Sequence, residues 1–326
     1  MNENLRLQCL VVVASIVLFG TKIYAWYLTG SVAIFTDAME STVNVITGLI
    51  GLYSLYLSSL PKDKNHPYGH GKVEFLSASV EGTLITLAGI FIIHKAIMQY
   101  NKPITIHKLD VGIAIILGTA VVNFIIGRMA VKTGTQNNSL ALIASGQHLK
   151  SDSYSSLGIL IGLIALRITG IGWIDGTVAI VFALIIIREG IKILRASVAG
   201  IMDEADLKII NRLVKVLNDN KHQHWMDLHN LRIIKYGSTL HMDCHLTIPW
   251  YFNIHEGHAE VDRLEKLVKS NFNESIELFV HTDGCLDFSC KICVISDCTV
   301  RKNAFVERLE WNLENISLNS KHRLLN

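Results

Sequence analysis

The sequence predicts an α-helical polytopic membrane protein, with six transmembrane helices followed by a small αββαβ domain. Two observations carry this expectation. The chain of 326 residues is 50% hydrophobic and only 18% charged, where a soluble protein carries about a quarter charged residues. The apolar excess is also uneven. Long apolar runs fill the chain as far as Ala196, and charge density rises after Asp203. Disorder, collagen and a disulfide-stapled secreted scaffold are excluded by this composition. A net charge of +2 argues against nucleic acid as the partner.

About 20 apolar residues span a bilayer. Windows of that kind run over residues 7–27, 32–57, 75–96, 111–131, 139–166 and 176–194. Their connections alternate between sides: 28–31, 101–109 and 168–175 on one, 61–74 and 127–138 on the other. Nine Lys and Arg, from Arg6 through Lys72 and Lys132 to Arg195, flank the second side, against Lys95, Lys102, Lys108 and Arg167 on the first. The positive-inside rule then puts both termini in the cytoplasm and the protein in the cell (inner) membrane. The first run follows the weakly basic start MNENLR and is too long for a signal-peptide core, so it reads as a membrane helix.

Beyond Asp203 the apolar residues become periodic. Leu207, Ile210, Leu213, Val214 and Leu217 recur at helical spacing. Residues 230–234 and 239–248 alternate as strands around the turn Tyr236-Gly237-Ser238. A second amphipathic helix over 256–272 presents Val261, Leu264, Leu267 and Val268 on one face, and a third strand over 275–281 alternates as Ile276, Leu278 and Val280. The domains are then 1–202, 203–284 and a cysteine-bearing tail, 285–326.

Ionisable residues at membrane depth are costly and mark pathways. The second run carries Asp37, Glu40 and Asn44, and the fifth carries His148 and Asp152. Glu40 and Asn44 are four apart, as are His148 and Asp152, so each pair shares a helix face. Two such pairs can converge on one divalent cation. Asn44 fits equally well as a hydrogen-bonding bridge between helices. Lys150 projects away from His148 and Asp152. Glu81 lies about two turns into the third run and has no assigned role.

The loop LPKDKNHPYGHGKVEF after the second run clusters Asp63, His66 and His70, a donor set suited to zinc or a similar ion. Pro67, Gly69 and Gly71 make it a shaped loop. Of the 6 cysteines, Cys9 and Cys244 read as packing residues. Cys285, Cys290, Cys293 and Cys298 stand in the pattern C-x4-C-x2-C-x4-C. Four thiols so close together in a reducing compartment point to zinc rather than to disulfides.

DKNHPYGHGKVE after the second run, HLKSD on the fifth, and the layout of six helices plus a small domain make the chain resemble the cation diffusion facilitator family, from about Leu7 to Asp283. The resemblance implies a homodimeric antiporter that moves divalent metal out of the cytoplasm against protons, with a metallochaperone-like cytoplasmic domain. It implies a transport site at Glu40, Asn44, His148 and Asp152. The family pattern is His or Asp followed four residues later by Asp; the fifth-helix pair conforms, and the second-helix pair departs. A second site is implied at Asp63, His66 and His70, and a third at His229, His245, His258, His281 and Asp283. Lys72 and Asp203 match a charge pair that ties the family's membrane part to its soluble domain. Nine of the 14 His lie after Asp203, which independently favours metal binding there. A His-rich surface would account for His222, His224, His241 and His322.

The expected function is therefore secondary transport, exporting divalent cations of the Zn/Fe/Mn/Co class in exchange for protons across the bilayer. Zn(II) is the leading ion, with Fe(II), Mn(II) and Co(II) open. His148 is the expected coupling group, because metal binding needs the neutral imidazole and protons compete for it. The alternative is a non-transporting metal sensor or heterodimer partner with a weakened site, and Asn44 sustains it. Nothing resembles a nucleophile elbow, a phosphate loop or an HExxH motif, so an enzyme is not expected.

Overall fold

A chain segment in lipid must satisfy its own backbone hydrogen bonds, so long apolar runs form helices. The computed structural model describes residues 3–29, 32–99, 109–169, 173–237, 239–272 and 275–324. Its first unit, Met1–Met202, contains α1 (Glu3–Thr29), α2 (Val32–Ser58), α3 (Val73–Gln99), α4 (Leu109–Gln136), α5 (Leu140–Thr169) and α6 (Trp173–Ile201). At a rise of 1.5 Å per residue, each is long enough to cross a bilayer. Among the described residues, α1 to α4 each contain a stretch that is also apolar enough to do so. Much of the 101–109 and 168–175 connections lies outside the described residues.

One expected connection is shorter than its sequence implied. Residues 127–138 were expected to link two membrane runs, yet α4 continues to Gln136. Its polar end carries Arg128 and Lys132 on one flank, while Ala130 is fully buried. The helix therefore extends past the apolar window and turns only at Asn138, whose φ is 52°. Ser139 N closes that turn on Gly134 O at 2.9 Å.

Close helix approach rests on small residues, as is usual in membranes. A Cβ on Gly82 of α3 would stand 2.9 Å from Leu194 N of α6, and one on Gly190 would stand 2.9 Å from Gly82 O. Gly127 of α4 and Gly146 of α5 meet in the same way, with a Cβ on Gly127 falling 2.7 Å from Gly146 O. Hydroxyls add polar contacts, such as Ser79 Oγ to Ser197 Oγ at 2.6 Å.

The second unit, Asp203–Asn326, contains α7 (Leu207–Asp219), β1 (Asp227–Tyr236), β2 (Thr239–Ile248), α8 (Ile254–Asn271), β3 (Ser275–Gly284) and α9 (Leu313–Ile316). Asp206 caps α7 by accepting from Lys208 N and Ile209 N, and Asn253 with Glu256 forms a capping box on α8. Ile210, Leu213, Val214 and Leu217 form the buried stripe of α7; Leu207, expected with them, stands 54% exposed. The sheet order is β1-β2-β3, with β1 antiparallel and β3 parallel to β2.

The region expected to be a tail is part of this unit. Trp311 and Ile316 are buried in the same core as Leu213, Leu228, Leu246 and Leu264. Trp311 O accepts from Asn218 Nδ2 at 2.6 Å, and Leu318 O accepts from Asn230 N at 2.7 Å. Single anchors between irregular segments have no period, which is why the pattern of apolar residues did not reveal them.

Replacing Gly82 or Gly190 by Ala should force α3 and α6 apart, at a cost of about 1–3 kcal/mol. Thermal unfolding of the detergent-solubilised protein should show a lower midpoint for both variants. Gly118→Ala, where a Cβ meets nothing within 4 Å, should leave the midpoint unchanged or slightly raised.

Candidate metal centres

The first centre lies among the membrane helices. Asn44 of α2 and His148 of α5 are buried, and with Asp152 they line a cavity of about 290 Å³ whose other walls are mostly apolar, including Leu84, Ala88 and Phe91. His148 Nε2 lies 2.7 Å from Asn44 Oδ1. An amide oxygen only accepts, so Nε2 carries the proton. Asn44 Nδ2 in turn donates to Asp152 Oδ2. His148 Nδ1 is buried with no hydrogen-bond partner among the described residues. The side chains of Asp37 and Glu40 lie outside the described residues.

A separate buried network lies near this centre. Gln8 Nε2 donates to Gly48 O and to Ser145 Oγ, both at 3.0 Å, and Ser145 Oγ donates to Glu81 Oε1 at 2.8 Å. Glu81, left without a role by its sequence position, thus links α3 to α1 and α5.

The second centre is the loop between α2 and α3. Asp63 Oδ1 accepts from the backbone N–H groups of Asn65 and His66, at 2.8 and 2.7 Å. These bonds, chiefly that from His66, hold its carboxyl below the usual carboxylate range. Gly69, at φ 92°, lets the chain turn back so that its N–H reaches His66 O at 2.9 Å. The turn sets His66 Nδ1 3.1 Å and His70 Nε2 3.3 Å from the Asp63 carboxylate.

The third centre follows from strand register. His229, His245 and His281 are direct partners across β1, β2 and β3. Asp227, Thr247 and Asp283 form the next row. Asp283 Oδ2 lies 3.5 Å from His229 Nε2 and 3.1 Å from His245 Nδ1. Burial lowers the pKa of His229 despite the nearby carboxylates of Asp227 and Asp283, so the ring is neutral and able to ligate. Its Nδ1 faces Asp227 Oδ2 at 3.5 Å without a hydrogen bond, so this carboxylate lies beside the ring but does not orient it as an outer carboxylate orients a ligating imidazole. His281 sits at the edge, 3.8 Å from Asp283 Oδ1. His258 is elsewhere, on α8, 73% exposed and 3.6 Å from Asp262.

Donor atoms of Asp63, His66 and His70 lie within 4.8 Å of one another, as do those of His229, His245 and Asp283. So do those of His222, His224 and Glu260, a group the sequence reasoning missed. His222 Nδ1 and His224 Nδ1 lie 3.0 and 2.9 Å from the Glu260 carboxylate. The signal was present in α8: Glu260, Leu264 and Val268 share one buried face, so a carboxylate stood on an apolar stripe. Arg263 already bonds Glu260 at 3.1 Å, so a resident cation neutralises this group. His241 and His322 are not plain surface residues either. His241 is buried beside Glu277 at 3.3 Å. His322 pairs with Asp227, whose bond and charge raise its pKa against the opposing effect of burial. Cys285, Cys290, Cys293 and Cys298 border one small cavity of the second unit.

A bundle of membrane helices around a buried imidazole and a half-buried carboxylate, joined to a small domain rich in metal donors, defines a membrane metal transporter. Residues 9–202 match the cation efflux transmembrane domain, and residues 205–285 match the cation efflux protein cytoplasmic domain, the dimerization domain of these proteins. The chain belongs to the cation diffusion facilitator family. It is an integral membrane protein whose cargo is divalent metal cations. An uncharacterized transporter of Methanocaldococcus jannaschii is 30% identical over 87% of this chain and 99% of its own. The manganese efflux system protein MneP of Bacillus subtilis is 24% identical over 85% of this chain and 95% of its own. The cation-efflux pump FieF of Pectobacterium atrosepticum is 26% identical over 82% of this chain and 89% of its own.

Zinc bound at His229, His245 and Asp283 should raise the unfolding midpoint of the full-length protein, because a ligand of the folded form alone stabilises it. His245→Ala should shrink that shift. The shift should also fall as pH drops through the imidazole range, since ligating His must be neutral. Equal shifts in both proteins across pH would refute the site.

Proposed function

We propose that this protein exports divalent metal from the cytoplasm in exchange for protons, with both termini cytoplasmic, in the cell membrane. The observation that carries the reading is the meeting of His148 and Asp152 with Asn44 at a cavity of about 290 Å³ among the membrane helices. An imidazole, a carboxylate and an amide oxygen can together hold a divalent cation such as zinc. The donor set is compatible with Zn(II), Fe(II), Mn(II) and Co(II), and zinc suits the imidazole best.

The coupling follows from the same hydrogen bonds. Without cargo, Asn44 satisfies both His148 and Asp152. When both ring nitrogens of His148 carry protons, an arriving cation takes the Asp152 carboxylate and displaces the Nε2 proton, which leaves as the metal–nitrogen bond forms. After release to the far side the imidazole and carboxylate take up protons again, so proton and metal occupancy alternate. The domain at 205–285 supports a homodimer, in which metal at the loop and at the His row would be structural or regulatory.

A second reading has its own observation. The Asn44 amide ties His148 to Asp152 without any cation, which is also what a non-transporting sensor or heterodimer partner would need. One assay separates the two. Protein in liposomes that enclose a metal-sensitive dye should show flux driven by a pH gradient. Asp152→Ala should reduce that flux to background while the protein remains folded. Asn44→Asp adds an anionic oxygen and should change the ranking of Zn, Fe, Mn and Co. Absence of gradient-driven flux in the parent protein would favour the sensor, and an unchanged ranking would make Asn44 a packing residue.

A further inference from the structure

Apart from Cys285, the last matched residue, the segment after β3 lies beyond both matched domains and carries chemistry that the transport reading does not use. Cys285, Cys290, Cys293 and Cys298 are all free thiols. All four border one cavity of about 20 Å³, with Met226, Trp250 and Arg301 completing much of its wall. A cavity needs roughly 10–15 Å³ to hold one water, so this space suits a single small occupant and is too small for a polynuclear cluster.

The backbone is built around that space. Cys285 N donates to Ile248 O at 2.9 Å, which ties the first cysteine to the end of β2. A 3₁₀ turn over Asp287–Lys291 reverses the chain. Cys293 N then donates to Cys290 O at 3.4 Å, closing the central C-x-x-C as a turn. Arg301 braces the loop from within. Its Nη1 donates to Cys290 O and its Nη2 to Cys293 O, both at 3.0 Å, while its backbone N donates to Cys298 O at 3.3 Å. Lys302 N donates to Cys290 Sγ at 3.5 Å, which fixes that sulfur at the cavity wall.

Two other accounts of the cysteines are weaker. As plain small hydrophobes they would pack without a gap, yet the four thiols surround one. Disulfide bonds are absent among the described residues. Burial and the neighbouring sulfurs raise the Cys285 thiol above its ordinary range, with burial the larger cause. A bound cation reverses that preference. The thiols are spread around the cavity wall and are not as tightly gathered as the three His–carboxylate groups, so the loop must close inward on its ion.

We propose that this loop is a tetrathiolate site for one zinc ion per chain, separate from the cargo pathway. Four soft thiolates around a single-ion space select zinc over the harder divalent cations. The ion would also anchor the end of β3, because Asp283 of the His row is two residues before Cys285.

The test uses full-length protein in detergent, loaded with zinc under reducing conditions and desalted. Elemental analysis should find one more zinc per chain in the parent protein than in the Cys290→Ser/Cys293→Ser variant. Cobalt in place of zinc should give a thiolate-to-cobalt charge-transfer band that the variant lacks. Equal zinc content and no such band would overturn the proposal, as would iron with cluster-type visible absorption. If the variant fails to fold, the parent protein alone decides. Its four loop thiols should resist a thiol reagent until a chelator removes one zinc equivalent, and equal reactivity before and after chelation would sink the site.

Discussion

The cost of burying ionisable groups among lipid-embedded helices governs this protein. A charged side chain there must find a partner or change its charge. Asn44 meets that requirement by offering its oxygen to His148 and its amide hydrogens to Asp152. Glu81 meets it at one oxygen, where Oε1 accepts from Ser145, while Oε2 has no partner among the described residues, and Glu74 meets it through Ser58 at 2.7 Å and Ser139. All of these bonds join one helix to another, except that of Ser139, which lies in the turn between α4 and α5. The close glycine contacts of α3 with α6 keep those two backbones near enough for side chains as short as serine to meet, as Ser79 and Ser197 do. Packing and polar satisfaction are therefore one arrangement, and a cation entering the cavity must replace hydrogen bonds that already hold the helices together.

In the second unit the controlling element is register. A slip of one residue between β1 and β2 would send every side chain to the opposite face and separate His229 from His245. Register is irregular between His229 and Arg232, where Asn230 adopts φ 52°. The N–H freed by that irregularity is taken by Leu318 O. The C-terminal segment thus secures the strand next to the metal donors. It also supplies His322, whose ring pairs with Asp227 Oδ1 and whose backbone N donates to Oδ2, the oxygen that His229 faces. A segment outside the matched family domains is in this way wired into their chemistry.

What the sequence made legible follows the same physics. Periodic burial was readable: the six helices and the order αββαβ came from apolar spacing, and the polar residues His148, Asp152, Asp63 and His70 stood out because each broke a run or clustered in a short loop. Burial set by tertiary contacts was not readable. Trp311 and Ile316 enter the core singly, so no period announced them. Glu260 stood on the apolar stripe of α8, but only the fold shows that His222 and His224, from the turn before β1, meet it. His258 failed for the converse reason: its spacing said nothing about which face of α8 it occupied. α4 outran its apolar window because a helix emerging from lipid needs only a polar flank to continue.

The donor chemistry differs between centres in a way that suits different residence times. The membrane centre, among its described side chains, offers a single carboxylate beside a neutral amide and an imidazole. A cargo site must bind well enough to load and weakly enough to release, and a neutral amide in place of a carboxylate moves the balance toward release. The His row offers two imidazoles and a carboxylate with Asp227 behind them, a set that holds its geometry because β1, β2 and β3 hold it. The thiol loop is softer still, with four sulfurs and a guanidinium bracing the carbonyls of the loop. On the proposed reading, the same kind of ion would pass through the membrane centre, modulate the domain at the His row and remain at the thiol loop. The order follows from how much anionic and soft character each set of side chains supplies.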